Sequence, residues 1–218
     1  MTYEERLRVF IDSFDKGNTG FLDSLEKEAL EKHVPVIRRE TQKLLRTLLA
    51  LQKPMNILEV GTAVGFSTLL MCEYGPEQLH ITTIENDKER ALEAEKNFRE
   101  EGRQEQITLL DGDADDLLKK LEGSFDLIFM DAAKGQYVHW LPDVIRLMHP
   151  GSLLVSDNVL QNGDLVQSHF LVERRKRTIY KRMREYLFAL THDPLLETVI
   201  LPSGDGTALS VKLEETDE

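Results

Sequence analysis

The chain has 218 residues, 41% of them apolar and 30% charged, and its 27 Lys and Arg against 39 Asp and Glu leave a net charge of −12. This balance and length describe a globular protein with one core; they exclude disorder and disfavour wholesale electrostatic binding of nucleic acid. The single cysteine, Cys72, excludes a disulfide framework and a cysteine-based zinc cluster, and no apolar run reaches the ~18 residues of a membrane span, so no membrane association is expected.

The first residues, Met1 to Arg6, show no basic region followed by an apolar stretch, so no signal peptide is expected and the cytoplasm is the expected compartment. Residues 2–50 read as helices. Thr2-x-x-Glu5 is a capping box leading into Leu7, Phe10, Ile11 and Phe14 at helical spacing. Lys16-Gly17-Asn18-Thr19-Gly20 breaks that helix, a second runs from about Asp23 to Lys32, and a third follows Pro35 with Leu44, Leu45, Leu48 and Leu49 on one face. From Met55 the pattern changes. Short β-rich runs at 56–60, 80–84, 107–110, 127–130 and 153–156 alternate with helical stretches at roughly 66–74, 87–101, 114–120 and 135–148. Such alternation predicts a parallel sheet covered on both faces. A long helix at about 166–191 then precedes runs at 197–201 and 208–212, and Pro202-Ser203-Gly204-Asp205-Gly206 between them is a hairpin signal. The expectation is an α/β fold: a doubly wound, mostly parallel seven-stranded sheet with a C-terminal antiparallel hairpin and extra N-terminal helices. One domain would cover 1–218, with the helices in 1–50 and the core in 55–213.

The segment Glu59-Val60-Gly61-Thr62-Ala63-Val64-Gly65-Phe66-Ser67 sits where the first strand ends and a helix begins. Glycines there let the backbone turn tightly and approach a ligand closely. Ala63 holds the middle glycine place of the dinucleotide pattern, and a carboxylate at the strand tip suits a cationic ligand better than a pyrophosphate. Glu85 ends the second strand 20 residues beyond Gly65, where an acid accepts hydrogen bonds from ribose hydroxyls. Gly112-Asp113-Ala114 follows the third strand at the same crevice. These strand ends resemble those of the class I S-adenosylmethionine-dependent methyltransferases, which have a Rossmann-like core. The resemblance implies that Glu59, Gly61, Gly65 and Ser67 line the cofactor, that Glu85 grips its ribose, and that Asp113 and Ala114 lie near its base.

The fourth and fifth strands end in Asp131-Ala132-Ala133-Lys134 and Ser156-Asp157-Asn158. Carboxyl ends of neighbouring parallel strands open into one crevice, so Asp131, Asp157 and Asn158 converge there. Two carboxylates and an amide oxygen are a hard donor set suited to Mg²⁺, Mn²⁺ or Ca²⁺. This pattern is similar to that of the metal-dependent O-methyltransferases of the catechol and caffeoyl-coenzyme A type. The resemblance implies a metal that chelates two neighbouring substrate oxygens, a further contact of Asp131 with the cofactor, and catalytic roles for Asp131 and Lys134. Lys134 would act as the base or stabilise the oxyanion.

Residues 173–185 carry seven basic and two acidic side chains, a local +5 against −17 for the remainder. Such a cluster is a candidate phosphate-binding face or a homodimer contact. Together with Pro35-Val36-Ile37-Arg38-Arg39-Glu40-Thr41 and Asp131-Ala132-Ala133-Lys134-Gly135-Gln136-Tyr137, it resembles a bacterial branch, the tRNA 5-hydroxyuridine methyltransferases. That resemblance implies that Val36 touches the cofactor. It also implies that Arg38, Arg39, Arg174, Arg175, Lys176, Arg177, Lys181 and Arg182 meet a tRNA anticodon stem-loop, and that the chain is a homodimer. Tyr137 and Trp140 are open to two readings, stacking on a substrate ring or packing in the core.

Overall fold

The computed structural model describes residues 2–168 and 170–215. Helix α1 (Tyr3–Asp12) starts on the expected capping box: the Thr2 hydroxyl accepts from the Glu5 backbone N–H, and the Glu5 carboxylate accepts from that of Thr2. Its apolar side chains Leu7, Phe10 and Ile11, and Phe14 just beyond its end, remain exposed. Helices α2 (Gly20–Glu31) and α3 (Arg39–Gln52) follow. The latter buries Leu45, Leu48 and Leu49 and ends at Lys53 in the left-handed conformation.

The core alternates as expected: β1 (Asn56–Val60), α4 (Phe66–Tyr74), β2 (His80–Glu85), α5 (Lys88–Glu100), β3 (Ile107–Asp111), α6 (Ala114–Lys120), β4 (Phe125–Met130), α7 (Tyr137–Arg146) and β5 (Met148–Ser156). Helix α8 (Arg177–His192) leads into the hairpin β6 (Leu196–Leu201) and β7 (Thr207–Lys212). The sheet order is β3-β2-β1-β4-β5-β7-β6; strands β1 to β5 are parallel, and β7 is antiparallel to both neighbours. Adjacent strand residues face opposite sides. Ile57, Leu127 and Phe129 pack with α3, α4 and α5, whereas Leu58, Ile128 and Met130 pack with α6, α7 and α8. The order reverses direction between β1 and β4, which is where a doubly wound sheet opens a crevice. No helix among the described residues is long and apolar enough to cross a membrane.

The long C-terminal helix is shorter than its sequence pattern suggests. It begins at Arg177 rather than near residue 166, and short 3-10 turns occupy Gln161–Val166 and Arg174–Lys176. Tertiary contacts replace the helical ladder. Arg177, Tyr180 and Arg184 of α8 donate to the backbone carbonyls of Val172, Gln167 and Leu165, capturing acceptors that a helix would use internally.

Candidate active site

The sheet's hydrogen bonding runs one residue past each strand end, and this brings the site together. Gly61 N–H donates to Ile84 O, Gly112 N–H to Glu85 O, Asp131 N–H to Val60 O, and Asp157 N–H to Met130 O, all at 2.9–3.0 Å. A cavity of about 620 Å³ opens above these ends. Val36, Gly61, Ser67 and Glu85 are on its wall, as are Asp113, Ala114, Asp131, Lys134 and Asn158.

Gly61 has φ +105, and a Cβ there would lie 2.2 Å from the carbonyl oxygen of Asp131. Only glycine permits that approach. Gly65 is not on the cavity wall; it is the N-cap of α4, where an added Cβ would strike the Phe98 ring at 2.4 Å. Glu59 also lies behind the wall. Strand alternation turns it to the face of Ile57, under the first turn of α4, where it is fully buried. It accepts hydrogen bonds from the hydroxyls of Ser67 (2.5 Å), Thr68 and Thr83 (2.6 Å). Burial outweighs these bonds and pushes its carboxyl up to about 7. Glu85 accepts from Ala63 N–H at 2.7 Å and from Asn86 and Asp87 N–H at 3.0 Å, which fixes the carboxylate on the wall.

Lys134 Nζ donates to Asp131 Oδ1 at 2.6 Å and to the Tyr137 hydroxyl at 3.1 Å. Burial pulls the ammonium pKa down, but the adjacent Tyr137 and Asp131 oxygens outweigh it and the net shift is upward. The Tyr137 hydroxyl also donates to Met130 O and accepts from Ala132 N–H, so one buried group organises the whole turn after β4. Burial pushes that phenol up to about 12. Trp140 packs in the core beside the cavity, its indole N–H on Asp115.

Asp157, expected in the crevice with Asp131 and Asn158, lies behind the cavity wall and is 1% exposed. Its Oδ1 accepts from Thr41 at 3.1 Å and from Thr207 at 3.3 Å, whereas Oδ2 is buried with no hydrogen-bond partner. Burial, then the charge of Asp131, raises its pKa. A buried, unsatisfied carboxylate oxygen beside a second carboxylate is costly as it stands and suits a hard divalent cation. Among the described residues no group of three or more His, Cys, Asp or Glu is placed to hold a metal, so a cation here would need a further donor, the place that the expected set gives to the Asn158 amide. Asn158 stands at φ 57, a conformation asparagine tolerates better than most residues.

The basic side chains divide. Arg38 lies on the cavity rim and pairs with Asp205 at 2.7 Å, while Arg39 pairs with Glu26 at 3.3 Å. Arg175, Lys176 and Lys181 pair with Glu173, Asp164 and Glu185, and Arg174 stands on the exposed 3-10 turn. Arg177 holds Val172 O, and Arg182 donates to Gly135 O, fastening α8 to the turn that carries Lys134. Sequence reasoning did not find Thr41, Thr68, Thr83 or Thr207. Threonine hydroxyls carry no pattern, and Thr41 is 116 residues from the carboxylate it serves.

The chain is similar in sequence and fold to known proteins. A catechol O-methyltransferase of Niastella koreensis is 37% identical over 131 residues, covering 58% of this chain and 59% of that enzyme. A catechol O-methyltransferase of Mycobacterium tuberculosis is 31% identical over 161 residues, covering 72% and 73%. The crystal structure of a candidate caffeoyl-CoA O-methyltransferase from Staphylococcus aureus superposes with a TM-score of 0.86 at 26% identity, covering 97% of this chain and all of that one. Residues 13–213 match the family described as O-methyltransferase, and the chain belongs to that family.

Proposed function

We propose that this chain transfers a methyl group from S-adenosylmethionine to one of two neighbouring oxygens of an acceptor held by a divalent cation, with small catechol-like phenols as the acceptor class. The observation that carries the reading is the unsatisfied Oδ2 of Asp157, buried at the strand end beside that of Asp131. The similarity to two catechol O-methyltransferases supports the acceptor. Asp131, Asp157 and Asn158 would hold the cation, which, when bound, supplies Lewis acidity that lowers a hydroxyl's pKa. The wall from Gly61 to Ala114 would hold the cofactor, Glu85 taking the ribose hydroxyls. Lys134, fixed as a donor by Asp131 and Tyr137, faces the cavity as a partner for an oxyanion. The remaining gain comes from in-line positioning of acceptor and methyl group.

One specific observation favours a second acceptor, 5-hydroxyuridine at the tRNA wobble position, methylated to 5-methoxyuridine. The basic helix α8 is fastened through Arg182 to Gly135, next to the cavity-wall residue Lys134, and this link supports a role for its cations near the acceptor. The hydroxyl and O4 of that base offer the same two-oxygen chelate, and phosphates would meet the cations. The test is transfer from labelled cofactor with Mg²⁺ to catechol or to hydroxyuridine-containing tRNA, each with and without chelator. Transfer to catechol alone supports the first acceptor. Transfer to tRNA that falls on charge reversal at Arg174 and Arg175, with cofactor affinity intact, supports the second. Turnover that survives chelation together with Asp157→Ala and Asn158→Ala refutes the metal-assisted reaction.

A further inference from the structure

The two oxygens of Asp157 are treated differently, and the groups responsible lie outside the nucleotide-type core. Thr41 comes from the first turn of α3, in the N-terminal helical layer, and Thr207 from the first residue of β7, in the C-terminal hairpin. Both are fully buried, and both direct their hydroxyls at Oδ1. Nothing donates to Oδ2. The same two accessory segments meet a second time nearby, where Arg38 pairs with Asp205 at 2.7 Å and a Cβ added at Gly204 would lie 3.5 Å from Arg38 Cδ and 3.7 Å from Thr41 Oγ1.

We propose that Thr41 and Thr207 are positioning residues that fix the Asp157 carboxylate with Oδ2 directed to the cation, so that the N-terminal helices and the C-terminal hairpin complete the metal site. This rests on the metal-assisted reading above. Two donors on one oxygen leave the other as the free lone-pair source and stop the carboxylate from rotating about its Cβ–Cγ bond. Partners of this kind commonly set metal affinity within a factor of 10–100. Neither threonine needs to touch cofactor or acceptor, so the effect belongs to the cation and to turnover.

The test uses the full chain and Mn²⁺ alone, with affinity measured by calorimetry on the metal-free protein beside wild type and Asp157→Asn. Thr41→Val/Thr207→Val keeps both side-chain shapes and removes both hydroxyls. Its expected Mn²⁺ affinity is roughly 10–100-fold below wild type. The expected KM for S-adenosylmethionine is unchanged, and kcat at fixed Mn²⁺ falls. Thr41→Ser/Thr207→Ser restores the donors and is expected to restore the affinity. A folded valine variant, checked by its circular dichroism melt, that binds Mn²⁺ within twofold of wild type overturns the proposal. If the double variant does not fold, the single valine variants decide, each expected to lose at least threefold; wild-type affinity in both overturns it. Failure of the metal reading looks different. Wild type then binds no Mn²⁺, or Asp157→Asn binds as tightly as wild type, and this assignment falls with it.

Discussion

Replacing Gly61 by alanine puts a methyl group 2.2 Å from the Asp131 carbonyl oxygen and 2.8 Å from its carbon, where ordinary contact begins at 3.4 Å. The obstacle is backbone held in the sheet by the Asp131 N–H on Val60 O, so it cannot swing aside. Relief requires a displacement of about 1 Å. The φ of +105 adds its own penalty, about 1–2 kcal/mol for a residue with a Cβ, and overpacking adds about 1–3. The expected loss is roughly 2–5 kcal/mol, or a melting temperature lower by ~4–20 °C for a chain of this size. Because the strand end that moves carries Asp131, turnover should fall about 100-fold even in the folded fraction. Gly151 provides the comparison: its φ is +86, but nothing lies within 4 Å of an added Cβ. Gly151→Ala should show only the backbone penalty and keep its turnover. Calorimetric melts and labelled methyl transfer, run on both variants, decide the matter. If Gly61→Ala melts and turns over like Gly151→Ala, the close approach does not shape the Asp131 turn.

Glu59 titrates in the fold near 7 against 4.5 in a solvated chain, so the native state holds the extra proton in between, and stability should fall as pH rises through that window. Glu59→Gln should flatten this slope in urea titrations; a slope unchanged by the substitution rejects the buried carboxyl as its source. Tyr137→Phe removes one hydroxyl that serves Met130, Ala132 and Lys134. It should lower kcat about tenfold with the KM for cofactor unchanged, and a wild-type kcat would show that the turn holds itself. At the opposite end of the sheet His149 Nε2 lies 2.9 Å from Asp126 Oδ1, and that hydrogen bond raises the imidazole pKa above 6.5. The pair's contribution is therefore full below about 6.5 and lost as pH rises through the folded value. Solvent screening keeps it below ~1 kcal/mol. Comparing wild type with His149→Gln at pH 6 and pH 9 should show a difference only at the lower pH.

The five parallel strands were legible because each is a short β-branched or apolar run followed directly by glycine, asparagine or aspartate. Asn56–Val60 and the helix Phe66–Tyr74 fall where the pattern places them. Their alternation gave the sheet, and the sheet put Gly61, Glu85, Asp131 and Asn158 on one cavity. Glu59 was harder to read. It sits in the loop motif, yet strand alternation turns it away from the ligand side. The start of the long helix read from about residue 166 is not α-helical up to Arg177: carbonyls captured by Arg177, Tyr180 and Arg184 accompany short 3-10 turns at Gln161–Val166 and Arg174–Lys176 instead. The threonines around Asp157 and Glu59 were illegible for another reason. A hydroxyl acquires its role from a partner that only the tertiary fold brings near.

The arginines of α8 face two ways. Arg177 and Arg184 present charge outward while their N–H groups buckle the preceding backbone in place. Neutralising either one therefore unfastens a loop as well as dimming an electrostatic field, and any change in ionic-strength dependence would mix both effects. Arg174, out on its solvent-facing turn, changes the field with far less disturbance to the scaffold, which makes it the cleaner gauge of how strongly this surface attracts an anion.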